Sequence, residues 1–260
     1  MGLLRRLIRK SIRKTFNNPT IKGISGENKI SLDLDFLNLF GKNGVCLRNL
    51  YVPMRNGKTT EIDVVYITSK GIFVIESKNY SGYIFGNENQ KYWTSTLYAG
   101  RGAFGRSKVE KHKFYNPIWQ NRTHMNALRN YLGNVEMYSF VVFGNNCDIK
   151  RMSFDVNDVC VCYESNLKRH IKEILRNNPD IYDNAEITSI IQRLLPLTYA
   201  DSETKRKHVE QIQKPTIVNE NICPRCGGNL VLRTARKGAS VGNKFYGCSN
   251  YPRCKYTRNL

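Results

Sequence analysis

Asp63, Glu76 and Lys78 are the residues of this chain whose types and spacing could do chemistry. They lie in the run Glu61-Ile-Asp63-Val-Val-Tyr-Ile-Thr-Ser-Lys-Gly-Ile-Phe-Val-Ile-Glu76-Ser-Lys78. Two β-branched and aromatic segments, 64–68 and 71–77, are joined there by Ser69-Lys70-Gly71 and read as a hairpin of strands buried on both faces. Residues two apart on a strand share a face, so Glu76 and Lys78 project together. Asp63, near the start of the preceding antiparallel strand, comes across from them. Two convergent carboxylates suit a hard divalent cation, Mg²⁺ or Mn²⁺, which keeps some waters and takes other ligands from phosphate. A lysine beside them can orient or deprotonate a metal-bound water and offset charge that develops on the phosphate. The chemistry would be metal-assisted hydrolysis of a phosphodiester. Glu-x-Lys is a weak pattern alone, and three solvated strand-end charges are the competing reading. The apolar run Ile72 to Ile75 favours the first, because it delivers Glu76 and Lys78 to the point where a buried sheet opens to solvent.

The eight cysteines divide into two sets. Cys46, Cys147, Cys160 and Cys162 are scattered, the last two within an apolar strand, whereas Cys223, Cys226, Cys248 and Cys254 crowd the final segment. Four thiolates so spaced suit a closed tetrahedral site for structural Zn²⁺, with no open position for catalysis. Their clustering argues for metal over disulfides and for a reducing, cytoplasmic compartment. Around them Arg233, Arg236, Lys237, Lys244, Arg253, Lys255 and Arg258 interleave with Phe245, Tyr246, Tyr251 and Tyr256. That mixture neutralises phosphates and stacks on bases, as single-stranded DNA binding requires. Some of the aromatics are expected instead in the small core around the zinc.

The formal net charge of the 260 residues is +20, with basic residues along the whole chain. Such an excess implies a polyanionic partner, nucleic acid in the first instance and an anionic membrane surface in the second. No run of about 18 apolar residues is present to span a bilayer. Met1 to Phe16 sets Leu3, Leu4, Leu7, Ile8 and Ile12 against Arg5, Arg6, Arg9, Lys10, Arg13 and Lys14, a basic amphipathic helix. It lacks the features of a cleaved secretory signal and is expected to be retained. Peripheral membrane contact, DNA contact and packing on the main domain are all open to it.

The elements that must position the triplet follow in order. Gly26 to Phe40 reads as an amphipathic helix with Glu27 in its first turn, and Cys46 to Val52 as a strand before the 64–77 hairpin. Tyr83 to Trp93 is a second hairpin, turning through Gly86 to Asn89, and Tyr98 to Lys108 is a polar, Gly-rich loop. Lys108, Lys111, His112 and Lys113 are expected on solvated loop. Asn116 to Leu132 is a helix opened by proline and carrying Gln120; His124, one turn on, is expected at the surface. Strands near Met137 to Phe143 and Val159 to Tyr163 and a helix from Asn166 to Arg176 complete the domain. Trp93 and Trp119 are expected in the core.

The tail, Cys223-Pro-Arg-Cys226-Gly, a basic loop from Arg233 to Gly238, and Phe245-Tyr-Gly-Cys248-Ser-Asn-Tyr-Pro-Arg-Cys254, resembles the C-terminal zinc ribbon of bacterial type IA DNA topoisomerases. That resemblance implies single-stranded DNA binding. Gly26-Glu27, Glu61-Ile-Asp63, Gly71-Ile-Phe-Val-Ile-Glu76-Ser-Lys78-Asn79, Gly82-Tyr-Ile-Phe-Gly86 and Asn116-Pro-Ile-Trp-Gln120 resemble the NERD (nuclease-related) domain of the PD-(D/E)xK superfamily. The family implies an α/β fold with a restriction-endonuclease-like mixed sheet flanked by helices. It also implies Mg²⁺ ligation by Asp63 and Glu76, completed by the carbonyl of Ser77, and a water-positioning or activating Lys78. Glu27 would be an accessory ligand or acid-base group, and Gln120 would orient the nucleophile or contact phosphate. Ser77 stands where the family usually has a hydrophobic residue.

The resulting organisation is a basic helix at 1–20, a nuclease-like domain at 21–198, a charged helical linker at 199–221 and a four-cysteine zinc ribbon at 222–260. The leading function is a metal-dependent DNA nuclease whose ribbon holds substrate. The alternatives are a catalytically inactive DNA-tethering protein and a membrane-peripheral protein targeted by its N-terminal helix. Oligomeric state, strand polarity and sequence preference leave no mark in the sequence.

Overall fold

The computed structural model describes residues 44–101, 107–149, 152, 158–213, 223, 228–238, 240–252 and 254–259. The expected N-terminal helix and the segment bearing Glu27 lie outside these residues, as do Cys226 and Arg253. Strands β1 (Gly44–Pro53), β2 (Thr59–Thr68) and β3 (Gly71–Lys78) form an antiparallel meander. The chain then builds β4 (Gly82–Phe85), β5 (Tyr92–Arg101), β6 (Ser107–Tyr115) and helix α1 (Pro117–Leu132) before β7 (Met137–Phe143) returns parallel to β3. After the short β8 (Cys147–Asp148), β9 (Cys160–Tyr163) pairs parallel with β7, giving a five-stranded mixed sheet in the order β1-β2-β3-β7-β9.

Both faces of this sheet are buried, which is why β3 reads as an unbroken apolar run. Leu50, Val52, Ile72 and Val74 pack on one face against Met125 and Leu128 of α1 and Ile190, Ile191 and Leu194 of helix α3 (Asn184–Leu194). Phe73, Ile75, Phe140 and Val142 pack on the other against Leu167, Ile171 and Leu175 of helix α2 (Glu164–Asn177). The alternation along β3 thus assigns its odd and even residues to different helices. The mixed sheet flanked by helices is the architecture expected from the sequence.

A second sheet, in the order β6-β5-β4-β8, joins the first through a core of Ile84, Trp93, Phe114, Trp119 and Phe143. The described ends of the segment expected as loop, residues 98–101 and 107–108, are strand. β5 and β6 pair from Tyr92↔Tyr115 through Tyr98↔Val109, with a register shift between Tyr98 and Arg101. Lys108, Lys111, His112 and Lys113 therefore belong to an edge strand rather than a loop, and the last three are exposed on it. Backbone pairing there is independent of the side-chain alternation that a sequence pattern detects. Gly82 is required where β4 begins: its φ is +78°, and a Cβ would stand 2.0 Å from the Thr96 carbonyl oxygen.

Helix α4 (Ser202–Gln213) covers the stretch expected as a spacer, and it is docked on the domain. His208 is buried, edge-on to Tyr51 with ring centroids 5.4 Å apart, and its Nδ1 lies 3.1 Å from Thr59 Oγ1. Gln211 Oε1 accepts from the backbone N–H of Thr59 at 3.2 Å. The docking face is polar, so no apolar stripe announces it. The tail forms a three-stranded ribbon of β10 (Leu230–Thr234), β11 (Lys244–Cys248) and β12 (Thr257–Asn259). No helix among the described residues is long and apolar enough to cross a membrane.

Asn121 ties α1 to the central strands. Its buried Nδ2 lies 3.0 Å from the carbonyl oxygens of both Val74 and Phe140 and 2.9 Å from Ser139 Oγ. Replacing it with alanine leaves those acceptors without their donor in the core. Asn121→Ala is expected to lower unfolding stability by about 2 kcal/mol, read as a lower urea midpoint at constant slope. A loss under about 0.5 kcal/mol would show that the helix docks without this bridge.

Candidate active site

Strand β2 separates from β3 at Val64↔Ile75, so Asp63 is the residue after the last pair and comes opposite Glu76. Asp63 reaches back over this end of the ladder, its Oδ2 accepting from the Ser77 backbone N–H at 2.8 Å. On the other side of β2, the β1 residue in register with Asp63 is Asn49, in the left-handed region at φ +52° between the pairs Arg48↔Val64 and Leu50↔Ile62. Asparagine tolerates this conformation better than most residues, and local strain of this kind accumulates at functional sites.

Glu76 is 1 % exposed, although it carries the carboxylate on which the site turns. Lys78 Nζ donates to its Oε1 at 2.5 Å, and His124 Nε2 meets its Oε2 at 2.9 Å. An ionised carboxylate only accepts, so His124 Nε2 is the donor of this pair, while Nδ1 faces Thr60 Oγ1 at 2.8 Å. Lys78 Nζ also donates to Gln120 Oε1 at 3.1 Å. Thus strands β2 and β3 and helix α1 each contribute to one network.

The aim of α1 follows from its first residues. Asn116 is the N-cap, its Oδ1 accepting from the N–H groups of Ile118 and Trp119, while its Nδ2 donates to the carbonyls of Asn87 and Gln90. Pro117 occupies the first turn, where its missing N–H is not needed. Trp119 is buried and donates its indole N–H to the Glu88 carbonyl at 2.7 Å. The segment 116–119 fixes the helix so that Gln120, Asn121 and His124 point into the sheet.

Burial pushes the Glu76 carboxyl up, but the charge of Lys78 and the contact with His124 more than offset it and hold the group below its ordinary 4.5. Burial likewise pushes the Lys78 ammonium down, and Glu76, with Asp63 behind it, raises it above 10.5. The site holds two carboxylates against the one lysine ammonium, and its acidic donors are hard oxygens on facing strands. This donor set fits a hard divalent cation held by Asp63 and Glu76. Of the residues expected at the site, Asp63, Glu76, Lys78 and Gln120 converge. Glu27 lies outside the described residues. His124, expected at the surface, is 2 % exposed and belongs to the site. Its position four residues after Gln120 was the available signal, together with the need of a buried carboxylate for a second donor.

In the ribbon, Cys223, Cys248 and Cys254 bring their sulfurs within 4.8 Å of one another, and Leu230, Tyr246 and Tyr256 pack around them. The converging thiols fit a structural zinc ion. Arg233 donates to the Cys248 carbonyl at 3.2 Å and lies over the Tyr251 ring at 5.7 Å, so it braces the ribbon itself. Tyr246 also goes to the ribbon core, with Arg258 over its ring at 4.9 Å. Phe245 is half-buried. Arg236, Lys237, Lys244 and Tyr251 remain exposed. Tyr256 also meets Trp119 edge-on at 6.0 Å, which seats the ribbon beside the start of α1.

Two segments of the chain match known families. Residues 22–144 match the family model described as "Nuclease-related domain" (NERD), and residues 220–260 match "Topoisomerase DNA binding C4 zinc finger". An uncharacterized protein of Bacillus anthracis is 29% identical over 196 residues, 75% of this chain and 85% of that protein. DNA topoisomerase 1 of Methanocaldococcus jannaschii is 51% identical over 41 residues, 16% of this chain and 5% of the topoisomerase. The uncharacterized protein YrdD of Escherichia coli is 44% identical over 45 residues, 17% of this chain and 22% of that protein. The chain thus spans most of the Bacillus relative but a small fraction of the topoisomerase. No solved structure matches it.

A carboxyl held below 4.5 stabilises the fold above that pH and loses its contribution as the pH falls through the folded-state value; an ammonium held above 10.5 does so in the opposite sense on the alkaline side. The Glu76–Lys78 pair therefore stabilises the protein evenly between those limits. Lys78→Met strands the carboxylate, at a cost of about 3 kcal/mol at neutral pH. The cost is expected to shrink at pH 4, where Glu76 can take a proton, as urea unfolding at the two pH values would show. An equal penalty at both would mean that Glu76 is not held ionised by Lys78.

Proposed function

We propose that this chain, which carries a nuclease-related domain followed by a topoisomerase-type C4 zinc ribbon, is a metal-dependent nuclease that hydrolyses phosphodiester bonds in DNA and grips the strand through its ribbon. The observation that carries the reading is the convergence of Asp63, Glu76, Lys78 and Gln120 where β2 and β3 part. Asp63 and Glu76 would hold Mg²⁺ or Mn²⁺, with the Ser77 carbonyl as a further donor; the cation would polarise the scissile phosphate and supply the attacking water as hydroxide.

The chain's own groups do the rest. Lys78, beside the proposed ligand Glu76, orients the water and offsets the charge that develops on the phosphate oxygens. Gln120 Oε1 and Glu76 Oε1 fix the Lys78 ammonium between them. His124, donating to Glu76, holds that carboxylate in place and is a positioning residue. A path for the strand leads away along the second sheet. Tyr80, which lies in the field of Lys78, stacks on Phe114 at 4.2 Å and lies 5.7 Å from the His112 ring. Beside it, Ser81, Ser95, Lys111 and His112 line an open groove of about 440 Å³. On the other face of this sheet, with Lys111 and Lys113, Tyr83, Tyr92 and Tyr98 expose half or more of their surface. Exposed aromatics interleaved with lysines suit single-stranded DNA.

The ribbon supplies affinity. Arg236, Lys237, Lys244 and Tyr251 are exposed on its basic and aromatic surface, and its seat on Trp119 keeps bound DNA near the site. Labelled single- and double-stranded DNA incubated with the full-length protein should be cut in Mg²⁺ or Mn²⁺ and not in EDTA. Asp63→Ala and Lys78→Ala should each reduce cutting by about 100-fold or more with DNA binding unchanged. Binding without cutting in wild type would move the tethering reading ahead of the nuclease. The double variant Lys237→Ala/Lys244→Ala should weaken single-strand binding and flatten its salt dependence by about one to two counterions. A salt slope equal to wild type would remove the ribbon from the DNA interface.

A further inference from the structure

Cys160 and Cys162 stand two residues apart on β9, on the face covered by α2. His170, midway along α2, reaches down to them. The two sulfurs and a ring nitrogen of His170 all lie within 4.8 Å of one another. Among the described residues the same convergence occurs in one other place, the ribbon's Cys223, Cys248 and Cys254. There the Cys223 and Cys254 sulfurs are 3.8 Å apart, about the separation that two sulfurs at ~2.3 Å from one tetrahedral zinc require. A geometry that identifies a zinc site in the ribbon therefore recurs on the nuclease-like domain. It lies across the sheet from the catalytic candidates: Cys162 is in register with Val142 and Val142 with Ser77, whose neighbours Glu76 and Lys78 project from the opposite face.

The surroundings are those of a metal site. Cys162 is buried, and Leu167 and Ile171 pack beside the cysteines on the inner side. On the outer side Lys168, Arg169 and Lys172 stand along α2. With Arg176 they line an open groove of about 560 Å³ along the outer face of the helix. Glu173 lines it too, one turn from His170 and close enough to act on Cys160. Two thiolates and an imidazole are soft to borderline donors, unlike the hard oxygens of Asp63 and Glu76.

We infer that Cys160, Cys162 and His170 hold a second zinc ion, which clamps the edge strand β9 to helix α2 and keeps its fourth position open to water on the Glu173 side. Among the described residues β9 is a four-residue edge strand paired with β7 alone, and an ion bridging it to the covering helix secures an end of the sheet that backbone pairing holds weakly. A disulfide is the poorer use of the same thiols. Residues two apart on a strand have Cα atoms about 6.6 Å apart, at the far limit of disulfide geometry.

The test is a metal count on the full-length protein, purified under reducing conditions and loaded with zinc alone. About two zinc ions per chain are expected, falling to about one in Cys160→Ser/Cys162→Ser and to about one in Cys248→Ser. His170→Ala, on a partly exposed helix position that leaves the core intact, should weaken retention of one zinc at least tenfold in chelator competition. With Co²⁺ in place of zinc, the double cysteine variant should lose about a third of the thiolate charge-transfer absorbance, two thiolates of six. If the double variant does not fold, His170→Ala and the cobalt spectrum of wild type decide. One zinc per chain in wild type, a count unchanged in the double variant, or retention unaffected by His170→Ala would each overturn the site. So would an oxidised Cys160–Cys162 pair in the reduced, metal-loaded protein.

Discussion

Glu76 is a carboxylate placed at the end of an apolar strand and shut away from water, and a charge there survives only with donors on both oxygens. Lys78 comes from the same strand and needs no further arrangement. His124 comes from α1, so the helix must cross the sheet at one height and one rotation. That demand explains much of what surrounds the site. Asn116 caps α1 and ties it to the 87–90 turn, Asn121 reads the carbonyls of β3 and β7, and Thr60 of β2 meets the far side of the imidazole. One buried carboxylate thus couples four elements, and the groups that would face a phosphate are held before any substrate arrives.

The parts of this arrangement that are local in sequence were legible there. The β2–β3 hairpin, the placement of Asp63 opposite Glu76, and the proline-opened helix carrying Gln120 each follow from an alternation or a cap within a few residues. The cysteine cluster of the ribbon was equally plain, since metal ligands declare themselves by type and spacing. His124 was not, because a histidine on a helix is equally at home in solvent, and its partner lies 48 residues away. The β5–β6 ladder was hidden behind glycines and lysines, which are poor strand signals although the backbone pairs regularly. Helix α4 looked detached because His208 and Gln211 dock it through polar contacts. Each of these depends on a distant partner that no window of sequence contains.

The ribbon shows how a small module divides its residues between holding itself together and meeting a ligand. Around so few buried side chains, Tyr246 and Arg233 are drawn inward, the first to the thiols and the second to the Cys248 carbonyl. What remains outside, Arg236, Lys237, Lys244 and Tyr251, is a modest surface. The rest of the attraction comes from the net charge of +20 spread along the chain, which draws a polyanion from many directions and is weakened by salt. Binding can therefore be shared over a wide surface, whereas the candidate catalytic groups are confined to one end of β3.

That separation bears on whether the site works or merely survives. A buried ion pair is no efficient way to stabilise a core, since apolar residues of similar volume commonly do as well or better. A domain retained only for gripping DNA would gain from exchanging Glu76, Lys78 and His124 for aliphatic side chains, and its basic surface would be untouched by the exchange. This chain instead keeps the three charged or polar groups together, adds Asp63 across the strand and Gln120 above, and commits Asn116 and Asn121 to aiming the helix that completes them. An arrangement so costly for stability is what the proposed phosphodiester chemistry would require at that point.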